Sequence, residues 1–234
     1  MILKILEFAQ YKQTYRYNSD SLILSDFALN CGVKNELLDV GAGCGIIGIL
    51  LKSFIPNLSL NLLDIQEKNI DLIKRNLKQN HINAQVFHSD FRTFLSEKKF
   101  DFLVSNPPFY RDGAKMGTKE HENISKFQSF LPLDELISKA NSLLKPRGVF
   151  YFAYEALALP KICAILENKK LKLTKIRFVY STKNQKARLI LIEARKGVKN
   201  SCEVLPPLLM QKNSNLSDEM QKICSRFRIK SYDI

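Results

Sequence analysis

The stretch that decides the fold is Leu37–Gly45, which has the sequence LLDVGAGCG. Its apolar first half, interrupted by Asp39, predicts a buried strand. Gly41, Gly43 and Gly45 then predict a tight turn into a helix, because glycine permits backbone angles and close approaches that a Cβ atom forbids. A strand, a glycine-rich turn and a helix in this order indicate an α/β fold with a ligand bound at the turn.

The acidic residue ahead of the glycines indicates which ligand the turn accepts. The spacing GxGxG matches neither the GxxxxGK[ST] phosphate loop nor the dinucleotide fingerprint. A carboxylate at the end of the strand would repel a diphosphate, whereas it would attract a cation such as the amino group of an amino-acid moiety. We therefore expect a cationic ligand, bound by Asp39, Gly41, Gly43 and Gly45.

Strand-like and helix-like patterns alternate along the chain. The predicted strands cover residues 36–40, 58–64, 84–88, 100–104, 149–154, 173–180 and 188–194. The predicted helices cover residues 45–54, 67–79, 132–144 and 159–168. This order predicts a doubly wound, mostly parallel seven-stranded sheet with helices on both faces. The last two strands are separated by a turn around Lys183 and Asn184, so they predict a C-terminal antiparallel hairpin at one edge of the sheet.

Two segments flank this predicted core. An aromatic and basic stretch at 11–17 precedes a predicted helix at 21–30, for which Ser19 and Asp20 resemble an N-cap. Near the C-terminus a short predicted helix begins at Ser217. The residue three positions later is not the Glu or Gln of a capping box, so this boundary is only loosely defined.

The composition is that of a folded globular protein, with 234 residues, 45% hydrophobic and 25% charged. We expect a single domain over 1–234, made of an N-terminal segment and helix at 1–35, a ligand-binding core at 36–196 and a C-terminal extension at 197–234. No apolar run approaches the roughly 18 residues of a membrane span, and we expect no signal peptide. The five scattered cysteines form no CxxC pair, so we expect free thiols, no metal and a cytoplasmic location.

The net charge of +13 is unevenly distributed. Residues 169–199 contain eleven Lys and Arg against one acid, Glu193. Such a field attracts polyanions and makes their binding salt-dependent, although it is also typical of a lysine-rich solvated surface. Charge does not separate RNA from DNA. We expect Lys183 and Lys186 to contact a nucleic-acid substrate.

Acidic residues also follow the next two predicted strands. Asp64, followed by Ile65, lies where a carboxylate of a doubly wound fold accepts from the ribose hydroxyls of an adenosine. Asp90 lies after the third strand, where a carboxylate suits the adenine amino group. Each acid alone is at least as typical of a helix N-cap. Because the carboxyl ends of parallel strands share one edge, we expect Asp39, Asp64, Ile65 and Asp90 to line one ligand crevice.

The fourth predicted strand ends in the sequence SNPPFY at residues 105–110. Pro107 and Pro108 fix φ and remove two backbone donors, so the chain leaves the sheet rigidly extended. The side-chain oxygen of Asn106 and the carbonyl of Pro107 can then accept from one planar NH2 group, while Phe109 stacks on the attached ring system. The motif predicts a site that binds an amine. The alternative is a turn that the two prolines make rigid, without a ligand.

Together these motifs resemble those of the class I S-adenosylmethionine-dependent methyltransferases that modify exocyclic or amide nitrogens, whose signature is Asp/Asn/Ser-Pro-Pro-aromatic. Residues 15–24, preceded by Gln10, resemble the N-terminal part of the bacterial adenine N6-methyltransferases that act on valine tRNA beside the anticodon. Residues 119–122 (KEHE) are similar to a charged segment that follows the catalytic loop in that family. Ala187 and Arg188 are similar to an Ala-Arg pair in a hairpin strand of the same family. The chain departs from the family at Ser21, where glycine is common, and at 119–122, where an expected arginine is missing.

The resemblance implies methyl transfer from S-adenosylmethionine to the N6 amine of an adenine in tRNA, with no metal and no covalent enzyme intermediate. Asn106, Pro107, Pro108 and Phe109 would be catalytic, with Asn106 also beside the cofactor. The polar stretch 110–130 would be a substrate loop, since loops of this length are typically functional; the alternative is a simple connection. The expected substrate contacts are Tyr110, Arg111, Lys115, Lys119, Lys183, Lys186 and Arg188. We expect a monomer or weak dimer, with tRNA as its partner and no membrane.

Three other interpretations stay open. A protein glutamine N5-methyltransferase uses the same tetrapeptide on a side-chain amide, although the short segment before the core and the basic field argue against it. Methylation of DNA or of a guanine amine uses related chemistry, although the chain offers no target-recognition domain for sequence-specific DNA work. A non-catalytic module that binds S-adenosylmethionine or RNA would bind cofactor without turnover.

Overall fold

The computed structural model describes residues 5–12, 17–108, 131–199 and 201–234, and a mostly parallel sheet lies at its centre. The strands are β1 (Leu6–Gln10), β2 (Glu36–Val40), β3 (Ser59–Asp64), β4 (Gln85–His88), β5 (Phe100–Ser105), β6 (Leu144–Glu155), β7 (Leu171–Tyr180), β8 (Ala187–Lys196), β9 (Glu203–Val204), β10 (Leu208–Leu209), β11 (Gln211–Lys212), β12 (Asn215–Leu216) and β13 (Ile229–Asp233). The helices are α1 (Ser19–Cys31), α2 (Ile46–Phe54), α3 (Glu67–Asn80), α4 (Leu133–Leu143), α5 (Leu159–Asn168) and α6 (Asp218–Phe227), with a 3₁₀ turn at Ala156–Ala158.

The strand order of the central sheet is β10-β7-β8-β6-β5-β2-β3-β4, and β9 also pairs with β7. β8 runs antiparallel to β6 and β7, whereas the neighbouring pairs from β6 to β4 are parallel. The predicted doubly wound α/β fold with a C-terminal antiparallel hairpin is thereby confirmed. The sheet has nine strands rather than the predicted seven, because the two-residue strands β9 and β10 also pair with β7. The chain runs outward from β2 to β3 and β4 and then returns to β5 on the other side of β2. This reversal opens a crevice at the carboxyl ends of β2 and β5.

The largest difference from the predicted strands is in β6, which is longer than the sequence pattern indicated. β6 begins at Leu144 rather than at Val149, because Leu144 already pairs with Phe100 of β5. The sequence KPRG at 145–148 is typical of a turn, and Arg147 does have a positive φ of 63°. The register of the β5–β6 pair shifts between Phe100 and Phe102, so β6 continues through residues 145–148 without leaving the sheet.

Both flanking helices have side-chain N-caps. The cap of α1 is Asn18, whose Oδ1 accepts from the backbone N–H of Asp20 at 2.9 Å. The prediction of Ser19 and Asp20 as this cap is wrong, because Asn18 is the extended residue with φ of −126° and Ser19 is already helical. Ser217 caps α6 by accepting from the backbone N–H of Met220 at 3.1 Å.

The helices bury two apolar clusters, one on each face of the sheet. Alternation along β6 shows the two faces: Tyr151 belongs to the cluster beneath α1, α2, α3 and α6, whereas Phe150 and Phe152 belong to the cluster beneath α4 and α5. Tyr151 stacks on Phe102 with ring centroids 6.1 Å apart. Since side chains alternate across a strand, a run that is apolar at every position is the pattern of a strand buried on both faces.

A second, two-stranded sheet joins the two ends of the described chain. β1 pairs in parallel with β13, from Leu6 opposite Ile229 to Gln10 opposite Asp233. Asn76 of α3 is fully buried and fixes β1 by accepting from Ala9 N at 2.9 Å and donating to Ala9 O at 3.3 Å. The same Asn76 amide donates to Cys44 O in the glycine turn at 2.9 Å. One side chain thus holds the N-terminal strand against the turn.

Within the described residues, no helix is long and apolar enough to cross a membrane. All five cysteines are free thiols. The described residues contain no cluster of three or more His, Cys, Asp or Glu side chains that is suited to a metal ion.

We expect Asn76→Ala to lower the free energy of unfolding by about 2–3 kcal/mol, because it removes the hydrogen-bond partner of the buried Ala9 N–H and of the Ala9 and Cys44 carbonyls. Urea unfolding of both proteins measures the difference. Asn168→Ala, at the exposed C-terminal end of α5, is the control and should stay within about 0.5 kcal/mol of the parent. Equal losses in the two variants would contradict the role assigned to Asn76.

Candidate active site

One open cavity at the carboxyl ends of β2, β3 and β5 brings together eight of the thirteen predicted site residues that the structure describes. Of the predicted residues, Gly41, Gly43, Asp64, Ile65, Asp90, Asn106, Pro107 and Pro108 line it. Its wall also includes residues that the sequence analysis did not assign to the site, among them Gln10, Tyr17, Ser21, Asn69, Ser89 and Ser105. The cavity lies at the reversal point of the strand order, where open α/β sheets bind ligands.

The glycine turn forms the floor of this cavity. The backbone N–H groups of Gly41 and Ala42 donate to Leu63 O at 2.9 and 3.0 Å, so the turn is tied to β3. Gly41 and Gly43 have positive φ angles of 67° and 60°. A Cβ atom at either position would meet no atom of the described residues within 4 Å. The turn therefore needs glycine for its backbone angles and leaves the space above it free for a ligand.

Asp39 lies behind the turn and is not among the described residues that line the cavity. Its side chain is fully buried, and Oδ2 accepts from the backbone N–H of Gly48 at 2.8 Å. Burial raises the pKa of Asp39 to about 7, with a hydrogen bond from Gly48 opposing the shift and the Asp64 carboxyl adding to it. α2 lies so close to the sheet that a Cβ on Gly48 would come within 2.6 Å of Leu62. The structure thus gives Asp39 a place beneath the site rather than in its wall; Gly45 likewise lies outside the wall.

Asp64 is the buried carboxylate of the cavity wall. Its Oδ2 accepts from the backbone N–H of Gly43 at 2.8 Å, and Oδ1 accepts from the backbone N–H of Gln66 at 2.9 Å and from Asn69 Nδ2 at 3.1 Å. Burial raises the pKa of Asp64 despite these hydrogen bonds. These bonds hold the carboxylate in place in the cavity wall. Ile65 beside it is 44% exposed and offers an apolar surface to a ring.

Asp90 differs from Asp64 because it is accessible and paired. The Arg92 guanidinium donates to both carboxylate oxygens, at 2.9 Å from Nε and 2.5 Å from Nη2 to Oδ2 and at 3.0 Å from Nε to Oδ1. These hydrogen bonds lower the pKa of the Asp90 carboxyl. Its predicted contact with an adenine amino group stays a prediction, and a ligand there would share the carboxylate with Arg92.

Asn106 follows β5 directly and faces the N-terminal wall of the cavity. The preceding residue, Ser105, is fully buried and donates from Oγ to Val40 O at 2.9 Å, which aligns the end of β5 with the start of the glycine turn. Asn106 Nδ2 donates to Ser21 Oγ at 3.4 Å. Asn106 Oδ1 is buried and has no hydrogen-bond partner among the described residues. A buried acceptor without a donor is costly, so this oxygen is suited to an N–H group supplied by a ligand.

The N-terminal segment supplies the wall opposite the strand ends. Gln10, the last residue of β1, accepts through Oε1 from the backbone N–H of Tyr17 at 3.1 Å. Tyr17 packs edge-on against Phe8 with ring centroids 6.0 Å apart. The sequence signal for this wall is the segment from Gln10 to Ser21, which the resemblance selected as a whole without assigning its side chains to the site.

The predicted substrate residues that the structure describes fall into two groups. Lys183 and Lys186 lie exposed in the turn between β7 and β8, at the same edge of the sheet as the cavity. Arg188 instead forms an ion pair with Asp20, the buried carboxylate at the start of α1. The predicted residues Phe109, Tyr110, Arg111, Lys115 and Lys119 lie outside the described residues.

The strand order, the glycine turn and the amide at the end of β5 are those of the class I methyltransferase fold. Residues 18–168 match the family model described as Methyltransferase small domain. The chain therefore belongs to the methyltransferase small domain family.

Similar proteins include RNA methyltransferases. The tRNA1(Val) (adenine(37)-N6)-methyltransferase of Flavobacteriaceae bacterium strain 3519-10 is 27% identical over 83% of this chain and 84% of that protein. The enzyme of the same name from Christiangramia forsetii is 29% identical over 76% of each chain. Among solved structures, a predicted O-methyltransferase from Agrobacterium tumefaciens has a TM-score of 0.69 at 13% identity, covering 92% of this chain and all of that one. The last likeness concerns the fold alone.

The raised pKa of Asp39 has a measurable consequence for stability. A carboxyl that has a pKa of 3.8 when unfolded and about 7 when folded binds its proton more tightly in the folded state. Its stabilising contribution is therefore complete below pH 3.8 and is lost as the pH rises through about 7.

We expect Asp39→Asn to remove this dependence. Between about pH 4 and 7 the variant should gain stability relative to the parent, by up to about 1.4 kcal/mol per pH unit. Urea unfolding across this range without added cofactor measures the difference, in which the contributions of other groups cancel. Parallel curves for the two proteins would show that Asp39 titrates normally.

Proposed function

We propose that this protein transfers a methyl group from S-adenosylmethionine to the N6 amine of an adenine in tRNA. The observation that carries the proposal is the buried, unpaired Oδ1 atom of Asn106, held at the strand end beside the glycine turn. An acceptor in this place suits an N–H donor such as an exocyclic amine.

The Asn-Pro-Pro geometry supports recognition of a planar amine. Ser21 Oγ accepts from Asn106 Nδ2, which leaves the amide oxygen as the free end of the side chain. The carbonyl of Pro107 follows it on the extended chain, and the two oxygens would accept the two hydrogens of one amine. Both would favour a pyramidal nitrogen and stabilise positive charge as it develops there. A stacking role for Phe109 stays a prediction, since Phe109 lies outside the described residues.

The remaining wall suits the cofactor. When bound, S-adenosylmethionine supplies a methyl group on a sulfonium that needs no metal for transfer. Asp64 and Ile65 would hold its ribose and adenine, and the open space above Gly41 and Gly43 would receive its amino-acid part. The protein would then contribute mainly by orientation and by exclusion of water.

The relatives support RNA as the substrate. Several proteins that match most of this chain carry the name tRNA1(Val) (adenine(37)-N6)-methyltransferase, at 23–29% identity. We extend that substrate to this chain, with valine tRNA and the adenine next to the anticodon as the finer assignment. The five free thiols fit the cytoplasm, where tRNA is found, and a monomer or weak dimer stays the expected state.

A protein glutamine amide is the second candidate substrate. The same pair of oxygens would accept from its planar NH2 group, as they would from the NH2 group of a DNA base. The chemistry of the product separates the three.

Incubation of the purified protein and labelled S-adenosylmethionine with tRNA, protein extract and DNA in parallel tests the proposal. We expect labelled N6-methyladenosine in the digested tRNA. Label in protein would move the assignment to glutamine methylation, and label in DNA to a DNA base amine. Cofactor binding without label anywhere would contradict the proposed transfer.

The role of Asn106 predicts a split between binding and turnover. Asn106→Ala should reduce methyl transfer by at least about 100-fold, because it removes an acceptor used in the transition state. Cofactor affinity, measured by calorimetry, should stay within about threefold, since the oxygen is assigned to the amine. Asn168→Ala, on the opposite edge of the sheet, should change neither quantity. Loss of cofactor binding in Asn106→Ala would assign this side chain to the cofactor instead.

A further inference from the structure

Most of the basic field at 169–199 is neutralised within the protein. Arg195 pairs with the buried Glu193 at 2.7 Å, and Arg177 pairs with Glu219 at 2.6 Å. Further ion pairs join Lys169 to Asp134, Lys172 to Glu167, Lys175 to Glu203 and Arg188 to Asp20. Lys196 donates to the carbonyls of Asn141 and Leu144. The sequence total of eleven cations therefore overstates the charge that is free to meet a polyanion.

Besides Lys196, four lysines of this field form no ion pair within the described part of the chain: Lys170, Lys183, Lys186 and Lys199. The sheet separates them. Lys170 precedes β7 and Lys199 follows β8, so both lie at the amino edge of the parallel strands. Lys183 and Lys186 lie between β7 and β8, at the carboxyl edge, where the cavity opens.

A second loop adjoins Lys183 and Lys186. The backbone N–H of Met210 donates to Tyr180 O at 2.8 Å, and that of Gln211 donates to Ser181 O at 2.9 Å. These bonds fasten the β11–β12 hairpin to the β7–β8 turn and bring the exposed Lys212 to the same edge. We call residues 181–186 and 211–216 together the two-loop surface. Its sequences, STKNQK and QKNSNL, contain three lysines, no acid and many amide and hydroxyl groups.

A chain of contacts links the two-loop surface to the cavity. Arg188, two residues after Lys186, pairs with Asp20, which is only 2% exposed. Asp20 precedes Ser21, and Ser21 accepts from the amide of Asn106. Arg188 is therefore a positioning residue that holds the β7–β8 turn beside the site, and its guanidinium is paired with the Asp20 carboxylate.

We propose that the two-loop surface binds the phosphate backbone of the RNA substrate through Lys183, Lys186 and Lys212. This inference rests on the proposed function. Lysine ammonium groups contact phosphates as point charges, and neighbouring amides and hydroxyls add hydrogen bonds that set orientation. The two-loop surface would bind the RNA backbone, and the cavity would bind the target base. Affinity for RNA and methyl transfer would then depend on separate parts of the protein.

The test is a triple variant, Lys183→Gln, Lys186→Gln and Lys212→Gln, compared with a matched control. The control is Lys34→Gln, Lys170→Gln and Lys199→Gln, which removes the same charge from exposed lysines at the amino edge of the sheet. We expect the KM for tRNA to rise about tenfold or more in the test variant and to change less than threefold in the control. Both should keep the kcat and the KM for S-adenosylmethionine of the parent.

Salt dependence gives a second readout that a general loss of stability would not reproduce. Losing three phosphate contacts should reduce the slope of log K against log salt concentration by about 2–3 in the test variant. Equal slopes and equal tRNA KM values in both variants would overturn the proposed surface. Failure of the parent protein to methylate any RNA would overturn the proposed function instead. If DNA is the substrate and the test variant loses affinity for it, phosphate binding stands and the RNA assignment falls.

Discussion

The parallel pairing of β2 with β5 is the constraint on which the site depends. Their register sets Val40 opposite Ser105, and a hydrogen bond from Ser105 Oγ to Val40 O locks the two ends together. The residues that follow are the glycine turn on one strand and Asn106 on the other, so a ligand above the turn and an amine at the amide become neighbours. A shift of one residue would turn every side chain of the strand to the opposite face.

The N-terminal segment completes this arrangement from outside the sheet. Asn76 ties β1 to the glycine turn, β13 pairs with β1, and Ser21 orients the Asn106 amide. Each contact is long-range in sequence and lies close to the cavity. The N-terminal segment therefore contributes directly to the shape of the site through Gln10, Tyr17 and Ser21, whereas the C-terminal strand supports the site only through its pairing with β1.

Much of this structure follows from local sequence pattern. Apolar runs and glycine spacing predict β2 and its turn, and the acids at strand ends predict Asp64 and Asp90 in one crevice, where the structure places them. What local pattern misses is decided by distant partners. β1 and β13 are short strands whose pairing spans most of the chain, so neither is marked by its own sequence. Asp39 is a polar residue in an apolar strand, and only the close approach of Gly48 shows that it faces inward beneath the turn. The number of charged residues likewise does not reveal that six of the eleven cations at 169–199 form ion pairs.

The central claim is that the free oxygen of Asn106 accepts a substrate amine beside the cofactor. A crystal structure of the protein with S-adenosylhomocysteine and adenosine monophosphate tests it most directly. The account predicts the adenine N6 within about 3 Å of both Asn106 Oδ1 and the Pro107 carbonyl oxygen, with the cofactor sulfur facing that nitrogen. A complex in which Asn106 Oδ1 accepts from the cofactor or from the protein, while the adenine amine points elsewhere, would contradict it.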